Sequence, residues 1–303
     1  MTHVILLALG PIFFVMLLGY FAGKTRTIDN HHVGEINALV MDFALPVSLF
    51  VATASTPRNE MFGEAPLFAI QGAAMLIPFA GWFLYERFAR RTSAGEAAIQ
   101  ALTVGQPNYA APGLPIVAAL VGPPGAVQVA IAIAAATILP SPTTLLLIEL
   151  LGGGTHPEGE TPTRRVVRAI RRSLTKPIVL APLFGAALSR GGLKLEPAVQ
   201  ASLHLIGAAA GGVALFLTGL VLSAQRFRLN ANVVVGTIVS NVLRPLLVVA
   251  LVRAFPVPAE IAKISILLAA LPSGFFGILF GVNYKLDSDD SGSMVIASTS
   301  SAS

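Results

Sequence analysis

Apolar runs of about twenty residues recur along the chain, near 4–23, 34–55, 65–85, 97–120, 126–150, 177–192, 198–223, 232–254 and 262–283, with short polar intervals between them. A helix rising about 1.5 Å per residue needs about that length to cross a hydrocarbon core of about 30 Å. The pattern predicts nine spans in an all-α integral membrane protein. The first, "VILLALGPIFFVMLLGYFAG", carries no charge, is too long for a signal-peptide core and is followed by no small-residue cleavage pattern. The uncharged stretch from Ala97 to Ile148 is about two crossings long, and "VGPPG" at 121–125 supplies the turn that divides it. The sixth run is short and relies on Lys176 and Arg190 reaching the two interfaces.

Two spans are interrupted by residues that a membrane helix avoids. The fourth contains "VGQPNYAAPGLPIV" at 104–117, and the ninth contains "LLAALPSGFFGILFGVNY" at 267–284. Proline removes an amide donor and displaces a carbonyl, and each unsatisfied backbone group in hydrocarbon costs several kcal/mol. Such breaks persist where protein, water or substrate takes up the freed groups. A single proline is more often a kink than a site. Two matched breaks, one with Gln106, Pro107, Asn108 and Tyr109 and one with Pro272, Ser273 and Gly274, favour a substrate site.

Lys and Arg set the orientation. Alternate loops carry Lys24 and Arg26; Arg87, Arg90 and Arg91; Arg164, Arg165, Arg168, Arg171, Arg172 and Lys176; Arg226 and Arg228; and Lys285. The opposite loops carry only Arg58, Arg190, Lys194 and Arg253. The positive-inside rule makes the first set cytoplasmic and puts the N-terminus outside. The polar interval 151–176 then reads as a cytoplasmic basic linker between a first repeat, 1–150, and a second, 177–303. Within it Arg164, Arg168, Arg171 and Arg172 share one helical face, and Val167, Ile170 and Leu174 another. That suits a short helix on the membrane surface as well as a solvated basic loop. With an odd number of crossings in each half, the fourth span runs outward and the ninth inward, the signature of an inverted repeat with two antiparallel broken helices.

Composition agrees: 54% of the 303 residues are hydrophobic and 12% charged, and the mean hydropathy is +0.77. The absence of cysteine excludes disulfides and thiolate metal sites, and the five histidines show no zinc-ligand spacing, His31 and His32 being adjacent. No cofactor or metal is called for. A pI of about 9.9 raises nucleic acid as a partner, but the basic residues fall in short loops where topology accounts for them. Nothing resembles a nucleotide-binding loop, which argues against direct use of ATP.

Other polar residues lie within the spans. Asp42, in "VMDFALPVSLF", is about 13 Å deep in the second span, where a carboxylate costs on the order of 2.5–3.5 kcal/mol. It should face the protein interior or water, either coupling a proton or cation or forming a structural ion pair. Arg244, in "SNVLRPLLVV", reaches a similar depth in the eighth span and is placed to pair with Asp42 or to face an anionic substrate. Asn241, three residues earlier, shares its face and suits either role. His204 reads as interfacial, and Lys263 as an anchor at the outer surface. Gly207, Gly211 and Gly212 permit close helix packing and are compatible with a homodimer.

Together "GPIFFVMLLGYFAGK", "INALVMDFALPVSLF", "QPNYAAPGLPI" and "LPSGFFGILFGVNYK" resemble the auxin efflux carrier family of bacteria and plants. "MDFALP" and "PSGFFGILFGVNYK" are most similar to its malonate-transporter branch. The resemblance spans nearly the whole chain and is most specific at the two breaks. It implies a five-plus-five inverted-repeat transporter fold, with a scaffold and a mobile part like those of bile-acid sodium symporters, in the bacterial inner membrane. It also implies carriage of a small organic anion. The family's Asn-Pro or Pro-Asn motif, which helps hold the substrate carboxylate, maps to Pro107 and Asn108, and the second crossover to Pro272.

After Lys285 the chain departs from this pattern. "LDSDDSGSMVIASTSSAS" stands where the family has a tenth apolar helix, and the eleven mostly polar residues from Ser293 are too few and too polar to cross a bilayer. The reading at this stage is a truncated tenth helix. The expected function is a secondary transporter of malonate or a related carboxylate, coupled to a proton or sodium gradient. A degenerate, non-transporting carrier acting as sensor or scaffold is the alternative. An intramembrane hydrolase would need a base beside Ser273, and none is evident.

Overall fold

The computed structural model describes residues 2–29, 33–55, 65–121, 124–151, 164, 167, 171, 175, 177–224 and 228–302. The apolar runs become helices: α1 Thr2–Lys24, α2 Val33–Ser55 and α3 Ala65–Ala89. The broken α4 comprises α4a Ala94–Gly105, a π turn Tyr109–Gly113 and α4b Leu114–Val121. There follow α5, with parts Pro124–Ile138 and Pro140–Leu151; α6 Pro177–Arg190; α7 Pro197–Ala224; and α8 Ala231–Ala254. The broken α9 consists of α9a Ala259–Ala269 and α9b Phe276–Tyr284, and α10 spans Asp289–Ala302.

Among the described residues five helices, α2, α3, α5, α7 and α8, are continuous and apolar enough to cross a membrane by themselves. The halves of α4 and α9 are not, because eight to twelve residues reach only about 12–18 Å at 1.5 Å per residue. Phe21, Phe43, Phe184 and Leu205 stand exposed on helix surfaces, an arrangement that suits hydrocarbon around the bundle.

Helices α1, α2, α6 and α7 pack mainly on one another. A Cβ at Gly219 of α7 would lie 1.8 Å from the Met16 carbonyl oxygen of α1, and one at Gly19 would lie 1.9 Å from that of Phe216. Only residues without side chains let these backbones approach so closely. Gly207 is used inside the protein in the same way: its Cβ would lie 3.0 Å from Ser48 Cα of α2, so this glycine is engaged within the chain and not free for a second copy. The remaining helices form a second group around Phe79, Trp82, Ile99, Leu102, Phe280 and Met294.

The C-terminal segment forms a helix from Asp289, with Ser291, Met294 and Ser298 buried on the side of the second group and Val295 packed into the cluster that contains Val40, Leu217 and Leu279. Its fourteen residues span about 21 Å, still short of a full crossing. Polar side chains such as Ser293, Ser298 and Thr299 are tolerated because protein surrounds them and supplies hydrogen-bond partners that lipid lacks. Most of the expected linker, 151–176, lies outside the described residues, as do His31 and His32; Arg164, Val167 and Arg171 are helical and exposed.

Candidate functional site

Pro107 cannot continue α4a, and the chain runs extended through Gln106 (φ −99°, ψ 117°) before helical geometry resumes at Tyr109. Pro272 lies in the corresponding gap between α9a and α9b. The two gaps lie antiparallel, with Pro107 opposite Ser273. The Asn108 amide donates to the Pro272 carbonyl at 2.8 Å, and the Gly274 amide donates to the Gln106 carbonyl at 2.7 Å. Each break thus supplies partners that the other has lost. Gln106, Pro107, Asn108, Pro272, Ser273 and Gly274 come together as the sequence suggests.

The rest of the crossover is held by side chains from three other helices. From α10, Ser298 Oγ accepts the Ser273 amide at 2.9 Å and donates to Asn241 Oδ1. Asn241 Nδ2 in turn donates to the Ser298 carbonyl and to Ser301 Oγ, each at 2.8 Å. From α3, Gln71 accepts the Tyr109 hydroxyl at 2.8 Å and donates to the Ser265 carbonyl of α9a at 2.9 Å. From α8, Arg244 sends Nε to the Ala269 carbonyl (3.0 Å), Nη1 to that of Val104 (2.9 Å) and Nη2 to that of Leu271.

Two expectations change. Arg244 and Asp42 form no ion pair: the guanidinium is fully buried and engaged with carbonyls, whereas Asp42 is exposed on α2. Nor is Asp42 turned to the protein interior. Asn241 does not join Arg244 in one polar face but binds α10, because the π turn Val239–Leu243 between them rotates the helix. Tyr109 belongs to the Gln71 link.

Gln106 Oε1 and Ser273 Oγ are buried at the crossover without a hydrogen-bond partner. Unpaired oxygens are uncommon in a packed interior and mark a place where a water or ligand group can bond. Beside Asn108 and Pro272 a cavity is closed by Met16 of α1, Leu215 and Thr218 of α7, and Thr299 of α10. It has about 10 Å³ of room, close to what one water needs. A carboxylate substrate would require α1 and α7 to separate from the crossover. The Ser273 hydroxyl can donate to an anion, and the buried Arg244 guanidinium behind the crossover adds positive charge.

Gln71, Ser265 and Ser298 are missed by the sequence reading. A mid-span glutamine in "FAIQGAAML" is the one signal that points to any of them.

The sequence matches the profile of the family described as membrane transport protein over residues 4–303. It is 29% identical over 278 residues to the uncharacterized transporter YfdV of Escherichia coli strain K12, covering 91% of this chain and 87% of that protein. It is 24% identical over 295 residues to a putative malonate transporter of Rhizobium meliloti strain 1021, covering 95% and 89%. A profile that runs through both breaks and into α10 leaves no separate module to explain: the chain belongs to the membrane transport protein family, that of the auxin efflux carriers.

Proposed function

We propose that the protein is a secondary active transporter of a small organic anion, malonate or a related carboxylate, working by alternating access and coupled to an ion gradient across the bacterial inner membrane. The observation that carries this reading is the crossover, where two antiparallel breaks bond each other and leave Gln106 Oε1 and Ser273 Oγ unpaired. Asn108, beside the cavity, holds the carboxylate. The positive ends of α4b and α9b add attraction for an anion. Helices α1, α2, α6 and α7 act as the scaffold against which the crossover moves. Asp42, an exposed carboxylate at membrane depth, is the group that carries a coupling proton. The N-terminus faces outward, following the distribution of Lys and Arg.

The experiment is uptake of labelled malonate, with a panel of other carboxylates, into proteoliposomes under an imposed inward proton gradient. Asn108→Ala should lower the apparent kcat/KM roughly 10- to 100-fold, the loss of a hydrogen bond to a charged group. Asp42→Asn should leave exchange of internal for external substrate intact but abolish acceleration by the gradient. Uptake no faster than in empty vesicles for every carboxylate tested would refute the carrier reading. The alternative is a degenerate carrier acting as a membrane sensor or scaffold, which binding of a carboxylate without any uptake would favour.

A further inference from the structure

The last carbonyls of a helix have no intrahelical partners and form the negative end of its dipole. Two such ends meeting inside a membrane make a locus that attracts a cation, and carriers with broken helices use half-helix C-terminal ends to coordinate a coupling ion. Here the C-terminal ends of α4a and α9a meet, and the carbonyls of Val104 and Ala269, with that of Leu271 just beyond α9a, converge on one guanidinium. Arg244 is wholly buried there, and none of its three hydrogen bonds goes to a carboxylate. A buried charge without a counter-ion is costly unless oriented dipoles offset it, and the two helix ends supply them.

We propose that Arg244 is a resident cation in the position where a coupling sodium ion would otherwise bind, so that this protein carries its anion without sodium. The transport part of this inference rests on the carrier reading. Its geometry follows from the chain. Pro245 cannot donate to the Asn241 carbonyl, α8 widens into the π turn Val239–Leu243, and the Arg244 amide bonds back to the Val239 carbonyl. The planar fork then spans both helix ends, a reach that a lysine ammonium, as a single point charge, lacks. Arg244 also lies outside the set of side chains that line the crossover cavity. It therefore compensates the substrate's charge from behind the backbone and moves with the crossover.

The test uses the full chain, purified in detergent. Unfolding temperatures of the wild type and Arg244→Ala are compared in choline chloride, sodium chloride and choline chloride with millimolar guanidinium, at one ionic strength. The wild type should unfold at the same temperature in all three. Arg244→Ala should unfold several degrees lower in choline and recover with guanidinium or sodium, because a cation then refills the locus. A purely structural arginine would show no such rescue. Stabilisation of the wild type by sodium, or a variant that neither ion restores, overturns the proposal. If Arg244→Ala does not fold, wild-type proteoliposomes decide: equal malonate uptake with external sodium or choline supports the proposal, and a requirement for sodium overturns it while leaving the carrier reading intact. No uptake in either salt, with a sodium-insensitive unfolding temperature, would sink the carrier reading alone and leave the assignment of Arg244 standing.

Discussion

The Ser298 hydroxyl accepts the amide that the break leaves on Ser273 and donates a hydrogen bond to Asn241 Oδ1. Alanine at this position would leave the buried Ser273 amide unpaired and remove the shorter of the two hydroxyl donors to Asn241 Oδ1, at a cost of about 1–3 kcal/mol. Ser298→Ala should therefore lower the unfolding temperature by roughly 2–12 °C, at the 2–4 °C per kcal/mol expected for a large domain. An unchanged unfolding temperature would show that water replaces the hydroxyl without loss. Nothing in "SMVIASTSS" distinguishes this serine from its neighbours, since its role depends on a register with α9 that the sequence does not carry. Arg244 was half legible. An arginine deep in an apolar run must have partners, but carbonyl oxygens are common to every residue, so no side-chain pattern could announce that backbone, and not Asp42, would supply them.

At the level of helices, legibility follows chemistry that is local. Prolines marked both breaks, and helix lengths followed from apolar runs, because both effects act within a few residues of their cause. Proline also explains three of the widened turns: those at Leu39–Ala44, Tyr109–Gly113 and Val239–Leu243 precede Pro46, Pro115 and Pro245 by one or two residues. The ring excludes the usual bond to the preceding turn, and a wider one is made instead. The helix α10 was illegible for the opposite reason. Hydropathy judges a helix as if lipid surrounded it, and α10 is surrounded by protein. The contact between α1 and α7 gives a test at this scale. With 1.8 Å between a Cβ at position 219 and the Met16 carbonyl oxygen, Gly219→Leu must push the two helices apart. Overpacking of this kind costs about 1–3 kcal/mol or more. The variant should be recovered from membranes in lower yield and unfold earlier, whereas Gly212→Leu, where a Cβ meets nothing within 4 Å, should behave as wild type. Equal stability of the two variants would mean that α1 and α7 do not pack as described.

In the whole molecule, the crossover cavity is the seam between the two groups of helices. Met16, Leu215 and Thr218 come from the first group, and Asn108, Pro272 and Thr299 from the second. A polar bond also joins the groups from Asn37 Nδ2 of α2 to the Leu279 carbonyl of α9b at 3.3 Å. Alternating access would require sliding of one body past the other along this seam. The chain has no cysteine, so a pair introduced as Thr218→Cys and Thr299→Cys can be joined without background reaction. Both side chains line one cavity with about 10 Å³ of room, about one water, so the two thiols face one another across it and an oxidant can join them as a disulfide. The joined protein should lose malonate uptake and recover it on reduction, while each single-cysteine variant treated with the same oxidant should retain most of it. Loss in the single variants as well would trace the effect to oxidation of a lone thiol, and transport by the joined protein at the unjoined rate would rule out relative movement of the two groups.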